Sequence, residues 1–494
     1  MEDTPKQIAR PSGRVRITRS TNLITPQLLI LFGVIFVAIA AALMLLRLTP
    51  KFQMALILAF PSAIIGLYIL LNPFAGTFLY EFNDILRPYD FIPALRPLRL
   101  ALVIEIVTLL SWVIVLVRTK KSIKWDTLNW MYLLFLGVLA FGTYLAVNNF
   151  HAYNIFQLML VAFVMYVIAT NTIDSIPRLE KIIWMLILIH VFYAFKGILN
   201  FMFHPGHSGG LDTSGAVGGS FIADENDFAM ALNTFIPLIF FLFMYYKDKM
   251  KKLFMLGVLV LFVGGVVASF SRGGWVGMMV AALFCIWFSG RRFIGFFWAV
   301  IAGIIFVAVA PKHYMGEIET ISDTKEATAD ARLKMWAAGF RMFLDYPLVG
   351  VGPANGGMHM PDYVRGVRNP NMKWGRTFHG LWAQLFAETG GLGALLYFCM
   401  LFYVLTFLNR IRKRKRNHPA QAKLSAWATG LMGGILAHLG SASFLSAVFY
   451  PQIWLIYILA VSMLWLQRDI DWEVVQERRR LLEASEVAAE QGAG

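Results

Sequence analysis

Two short stretches pair residue types that could act on a phosphorylated substrate. The first is Ser269-Phe270-Ser271-Arg272-Gly273-Gly274-Trp275, where one apolar run ends and the next begins almost at once. Ser271 has the type and position of a helix N-cap. A helix N-terminus presents unpaired N–H groups and partial positive charge, Gly273 and Gly274 permit close approach, and Arg272 offers a fork suited to phosphate oxygens. The competing account is that Arg272 snorkels to a membrane interface while the glycines help helices pack. The second stretch is Thr377-Phe378-His379-Gly380, opening an apolar run through Glu388, Gly390, Gly391 and Gly393. Near a helix start the dipole disfavours imidazolium, so His379 can stay neutral and accept a proton from an attacking hydroxyl. A lone histidine is more often a structural hydrogen-bonding group. Lys196 and His438 are weaker candidates as ionisable groups within apolar spans, and snorkelling explains Lys196 nearly as well. Asn226-Asp227 reads as a helix cap, and Glu388 as a group that orients substrate or as a satisfied interfacial carboxylate.

The elements that must position these residues are membrane helices. Of 494 residues, 58% are hydrophobic and 15% charged, against about 45–50% and about 25% in soluble domains. The expected fold is all-α, a polytopic bundle of about 13–14 transmembrane helices with one large ordered outer loop. Spans are expected at 28–47, 53–72, 97–117, 127–148, 154–171, 180–203, 226–246, 252–270, 273–289, 293–310, 381–408, 424–441 and 446–466. The stretch 73–90 is the doubtful one, because it carries Glu81, Asp84 and Arg87. Clusters at Arg118–Lys124, Lys247–Lys252, Arg291/Arg292 and Arg410–Arg416 mark cytoplasmic loops. With the basic leader 1–27 also inside, parity requires 73–90 to cross. The resulting organisation is a leader 1–27, a bundle 28–310, an outer helical loop 311–378, returning helices 379–466 and a cytoplasmic tail 467–494. Within the loop, Leu333, Trp336, Ala337, Phe340 and Leu344 form one helical stripe, and Arg365, Arg368, Lys373 and Arg376 follow as a basic run.

The basic residues behind the net charge of +15 sit mostly in these short loops, as cytoplasmic loops would have them, so no nucleic-acid partner is expected. Cys285 and Cys399 lie in apolar runs and read as small hydrophobes. No metal-ligand spacing, P-loop, dinucleotide fingerprint or serine-hydrolase elbow is present, so no cofactor is expected.

Three motifs in order carry a resemblance: Ser271-Arg272-Gly273-Gly274-Trp275; Ala331-Arg332-Leu333-Lys334-Met335-Trp336 with Asp345-Tyr346-Pro347-Leu348-Val349-Gly350-Val351-Gly352; and His379 followed by Glu388-Thr389-Gly390-Gly391-Leu392-Gly393. Over roughly 220–410 the chain resembles the O-antigen ligase and polymerase superfamily, and Asp224–Ala229 is similar to a subgroup described as O-glycosylation ligases. The chain departs in Gly380, where the family commonly has Asn, and in Ala394, where it commonly has Leu. The resemblance implies a metal-independent inverting glycosyltransferase of the bacterial inner membrane. Its donor would be a glycan on a polyisoprenoid pyrophosphate of the undecaprenyl type, and its acceptor a hydroxyl on lipid A core, a growing glycan or a protein. It also implies that Arg272 holds the carrier pyrophosphate and that His379 activates the acceptor. Lys196, Ser271, Gly273, Arg332, Arg365, Arg376 and Glu388 are the expected substrate-binding residues. A polymerase or protein oligosaccharyltransferase shares this chemistry. A flippase or a non-catalytic scaffold would be rivals of another class.

Overall fold

Apolar runs that satisfy their own backbone groups fold as helices, and no strand occurs among the described residues of the computed structural model. Those residues are 50–203, 224–290, 292, 293, 296, 327–364, 377–414 and 418–492. In chain order the helices are α1 Pro50–Leu71, α2 Pro73–Leu86, α3 Pro88–Phe91, α4 Leu100–Thr119, α5 Thr127–Leu145, α6 Asn149–Thr172, α7 Ile176–Phe203, α8 Glu225–Tyr245, α9 Lys249–Ala268, α10 Arg272–Phe288, α11 Ala327–Asp345, α12 Gly356–Tyr363, α13 Leu381–Lys413, α14 Gln421–Ala442 and α15 Pro451–Gly492. Eight helices among the described residues are long and apolar enough to cross a membrane, so the chain is an all-α polytopic membrane protein. The expected span 28–47 and most of 293–310 lie outside the described residues. The chain divides into two compact units, 1–67 and 68–494, and the second holds every helix from α2 onward.

The doubtful stretch 73–90 is a broken helix, α2 and α3, hinged at Arg87 with φ 49°. It runs beside α7 from Phe74, under Arg178 (5.1 Å), to Phe91, under the Lys196 ammonium (4.7 Å). That interval of α7 rises about 27 Å, close to the hydrocarbon thickness.

The tightest packing joins α8, α10 and α14. Small residues Gly430, Gly433 and Gly434 let α14 lie on Leu238, Pro237 and Thr234 of α8. Fully buried His438 shares a 3.3 Å hydrogen bond with Thr234 Oγ1, a helix-packing role. Described basic residues meet acidic partners at one end, where Lys124 pairs with Asp469 (3.9 Å), Arg414 with Asp471 and Lys423 with Glu180 (3.0 Å). α15 passes position 466 without a break, so the tail continues the last helix.

At the other end α11 and α12 form a cap with its own core of Met335, Ala338, Met342, Val351, Met360, Val364, Phe378 and Ala387. The cap buries a different face from the expected stripe. Leu333, Phe340 and Leu344 are 49%, 56% and 61% exposed, because the methionine edge of α11 is the one facing Phe378.

Candidate functional site

The sequence Ser271-Arg272 starts a helix because Ser271 Oγ accepts from Gly274 N (2.9 Å), and Phe270 makes the preceding turn at φ 55°. The same hydroxyl donates to Asn226 Oδ1 (2.7 Å), fastening the α10 cap to the start of α8. Ser271 is buried and engaged in both roles. Arg272 is half-buried beside it. Gly273 packs toward Phe444, at 3.2 Å from a built Cβ, and Gly274 toward Ala229, so these glycines serve helix packing.

His379 stands immediately before Gly380, the residue that caps α13, and adopts φ 46°. For a residue with a Cβ that conformation costs about 1–2 kcal/mol. Neighbours hold it on both sides: His379 N donates to Ser446 Oγ (3.0 Å), and its carbonyl accepts from Trp336 Nε1 (3.1 Å). Trp336 also accounts for Gly380, since a Cβ there would lie 2.3 Å from the indole nitrogen. The family's asparagine would collide with this tryptophan.

One segment, 443–450, ties these parts together. Phe444 faces Gly273 and lies 6.1 Å from the Trp336 ring. Ser443 Oγ accepts from Trp382 Nε1 (3.0 Å), Ser446 holds His379, and Tyr450 Oη donates to Asp227 Oδ2 (3.3 Å). Trp336, Phe340, Gly380, Trp382, Phe386 and Phe444 line a cavity of about 490 Å³, whose walls include the residue after His379 and the Phe444 ring that Gly273 packs toward. Arg332, one turn before Trp336, lies within electrostatic reach of Glu225 at the start of α8. The starts of α8, α10 and α13, the 443–450 segment and α11 therefore converge.

Other expected residues are engaged elsewhere. Lys196 sits over the Phe91 ring beside α3. Glu388 is buried, and its Oε1 accepts from Gly356 N (3.2 Å) while its Oε2 accepts from Gln384 Nε2 (3.1 Å). Gln384 Oε1 in turn accepts from Val448 N (3.2 Å). Glu388 thus clamps the cap to α13, with both oxygens used. Arg365 and Arg376 lie outside the described residues.

The two remaining motifs are one structural unit. α13 breaks at Gly390 (φ 62°, ψ −167°), and the freed groups pair with the 347–351 turn. Gly391 N donates to Pro347 O (2.7 Å), Leu392 N to Leu348 O (3.1 Å) and Val351 N to Ala387 O (2.8 Å). A broken helix at membrane depth is tolerated only where protein satisfies its backbone in this way.

Residues 257–398, which include Arg272, the 347–351 turn, His379 and the Gly390 break, match the family model of O-antigen ligase. This O-antigen ligase domain supports the O-antigen ligase superfamily for the chain. Residues 52–247, from α1 to the end of α8, match a family of unknown function, DUF5935, so the amino-terminal half has a family pattern of its own. No curated protein matches the chain. This O-antigen ligase-like membrane enzyme has residues at its candidate site that the sequence pattern did not single out, namely Trp382, Ser443, Phe444, Ser446 and Tyr450, while Trp336 of the helical stripe is one of the cavity walls. One signal was present. Pro451 suits the first turn of a helix, so the last span starts there and leaves 443–450 as a non-helical crossing, where the expectation began that span at 446.

Proposed function

We propose that this O-antigen ligase-like enzyme transfers a glycan from a polyisoprenoid diphosphate, of the undecaprenyl type, to an acceptor hydroxyl on the outer face of the bacterial inner membrane. The acceptor oxygen attacks the anomeric carbon as the bond from that carbon to the diphosphate oxygen breaks. His379 takes the acceptor proton. Arg272 neutralises charge growing on the departing diphosphate, so an α-linked donor yields a β-linked product. A pre-placed cation at a developing oxyanion supplies about 3–4 kcal/mol of barrier lowering, and a positioned base contributes about 10²–10⁴-fold.

The observation that carries this reading is the 443–450 segment. Phe444 rests on the residue after Arg272, and Ser446 holds the backbone of His379. Both candidate groups are half-buried, so neither is sealed from a substrate. The aromatic cavity lined by Gly380 and Phe444 suits an apolar chain or a sugar face. The described basic residues Lys124, Arg414 and Lys423 lie at the opposite end of the bundle, which supports an outer-face site under the positive-inside rule.

The test is transfer from a labelled polyisoprenoid-diphosphate glycan by the purified protein in nanodiscs, offered lipid A core, a second donor molecule or a peptide. The labelled product identifies the acceptor. His379→Ala and Arg272→Ala are expected to lose at least about 100-fold in rate, and wild-type rates in both folded variants would overturn the assignment.

A further inference from the structure

The proposed transfer assigns no step to Asp227 or Tyr450. Asp227 is 6% exposed at the start of α8, and among the described residues only one of its oxygens, Oδ2, is hydrogen-bonded, by Tyr450 Oη at 3.3 Å. Oδ1 is buried without a hydrogen-bond partner among the described residues. Burying a carboxyl group for one hydroxyl contact costs more than it returns, so stability is a poor account of the pair. Its position in the fold is more informative. Asn226, the preceding residue, accepts from the Ser271 hydroxyl that caps the Arg272 helix. Tyr450 ends the segment in which Ser446, four residues earlier, holds His379 N.

We propose that the Asp227–Tyr450 hydrogen bond is a positioning tether that fixes the separation of Arg272 and His379. It rests on the reading that those two groups serve one reaction. The α8 start holds the arginine side and the 443–450 segment holds the histidine side. The tether joins the two at a point next to each hold. A displacement of about 1 Å between reacting groups costs on the order of 100-fold in rate.

Tyr450→Phe removes one hydroxyl and keeps the ring. It is expected to lower kcat about tenfold to a hundredfold while donor KM stays within about twofold. Asp227→Leu should lose as much, the double variant no more than either single one, and Asp227→Asn, which still offers tyrosine an oxygen, should recover most of the rate. Unchanged kcat in Tyr450→Phe, a loss confined to KM, or Asp227→Asn failing as badly as Asp227→Leu would each overturn the tether. A second readout needs no activity. Spin labels at exposed Met279 on α10 and Leu392 on α13, with Cys285 and Cys399 replaced by alanine, report the spacing of the two helices. Tyr450→Phe should broaden that distance distribution, and an unchanged distribution refutes the proposal. A wild-type protein that transfers nothing counts against the transfer reading, and the label distances then still decide the tether.

Discussion

Replacing Gly390 by alanine tests whether the break in α13 carries the cap. Gly390 has φ 62° and ψ −167°, a region essentially closed to other residues, where a side chain costs about 1–3 kcal/mol. Its new Cβ would lie 2.4 Å from both the carbonyl carbon and oxygen of Leu348, and overpacking against a backbone adds about 1–3 kcal/mol. Relief by separation breaks the bonds from Gly391 N to Pro347 O and from Leu392 N to Leu348 O, at about 1 kcal/mol each. The total is at least about 2 kcal/mol if the contact is kept and about 3 kcal/mol if it is relieved. Gly137→Ala in α5 is the control: nothing lies within 4 Å of its built Cβ. That change should be neutral, or stabilising by up to about 1 kcal/mol. The assay is denaturant unfolding in mixed micelles followed by tryptophan fluorescence. Equal midpoints for Gly390→Ala, Gly137→Ala and wild type would refute the claim that this glycine is required by backbone contact.

Arg272→Lys keeps the charge and loses the fork, so it should restore only part of the transfer rate lost in Arg272→Ala; full restoration would reduce the guanidinium to a point charge. Glu388→Gln presents an amide N–H₂ to one of two donors, Gly356 N or Gln384 Nε2, and should cost about 1–3 kcal/mol of stability. An unaltered unfolding midpoint would remove Glu388 from the clamp. Burial pushes the His359 imidazole below its ordinary value, with Asp362 opposing. The folded ring therefore resists protonation more than the unfolded one, so stability is whole above about pH 6.5 and declines as pH falls below it. The difference in unfolding midpoint between wild type and His359→Phe, followed from about pH 8 to about pH 5.5, should show this loss. Parallel profiles would exclude His359 as its source.

Local rules made much of the fold legible. Runs of apolar residues are helices wherever they are described, and Ser271 caps α10 because a serine before a helical run competes for its first N–H groups. The Ser271–Trp275 turn and the His379 stretch stood out for the same reason, since each combines a helix start with a group able to carry charge or a proton. The edge of α11 that is buried was not legible, because its Met335 and Leu333 edges are both apolar and only Phe378 selects between them. Between the two readings of Glu388, orienting substrate or a satisfied carboxylate, local pattern offered no choice, since its donors Gly356 and Gln384 come from different parts of the chain.

Composition and period by themselves determined the helices, the solvent they face and the residues worth suspecting, because each of those depends on neighbours within a few positions. The convergence of α8, α10, α11 and α13 on the 443–450 segment was decided only by packing. So was the pairing of the broken α13 with the 347–351 turn. A hydrogen bond between Tyr450 and Asp227 joins residues 223 positions apart, and no local periodicity encodes a contact at that separation.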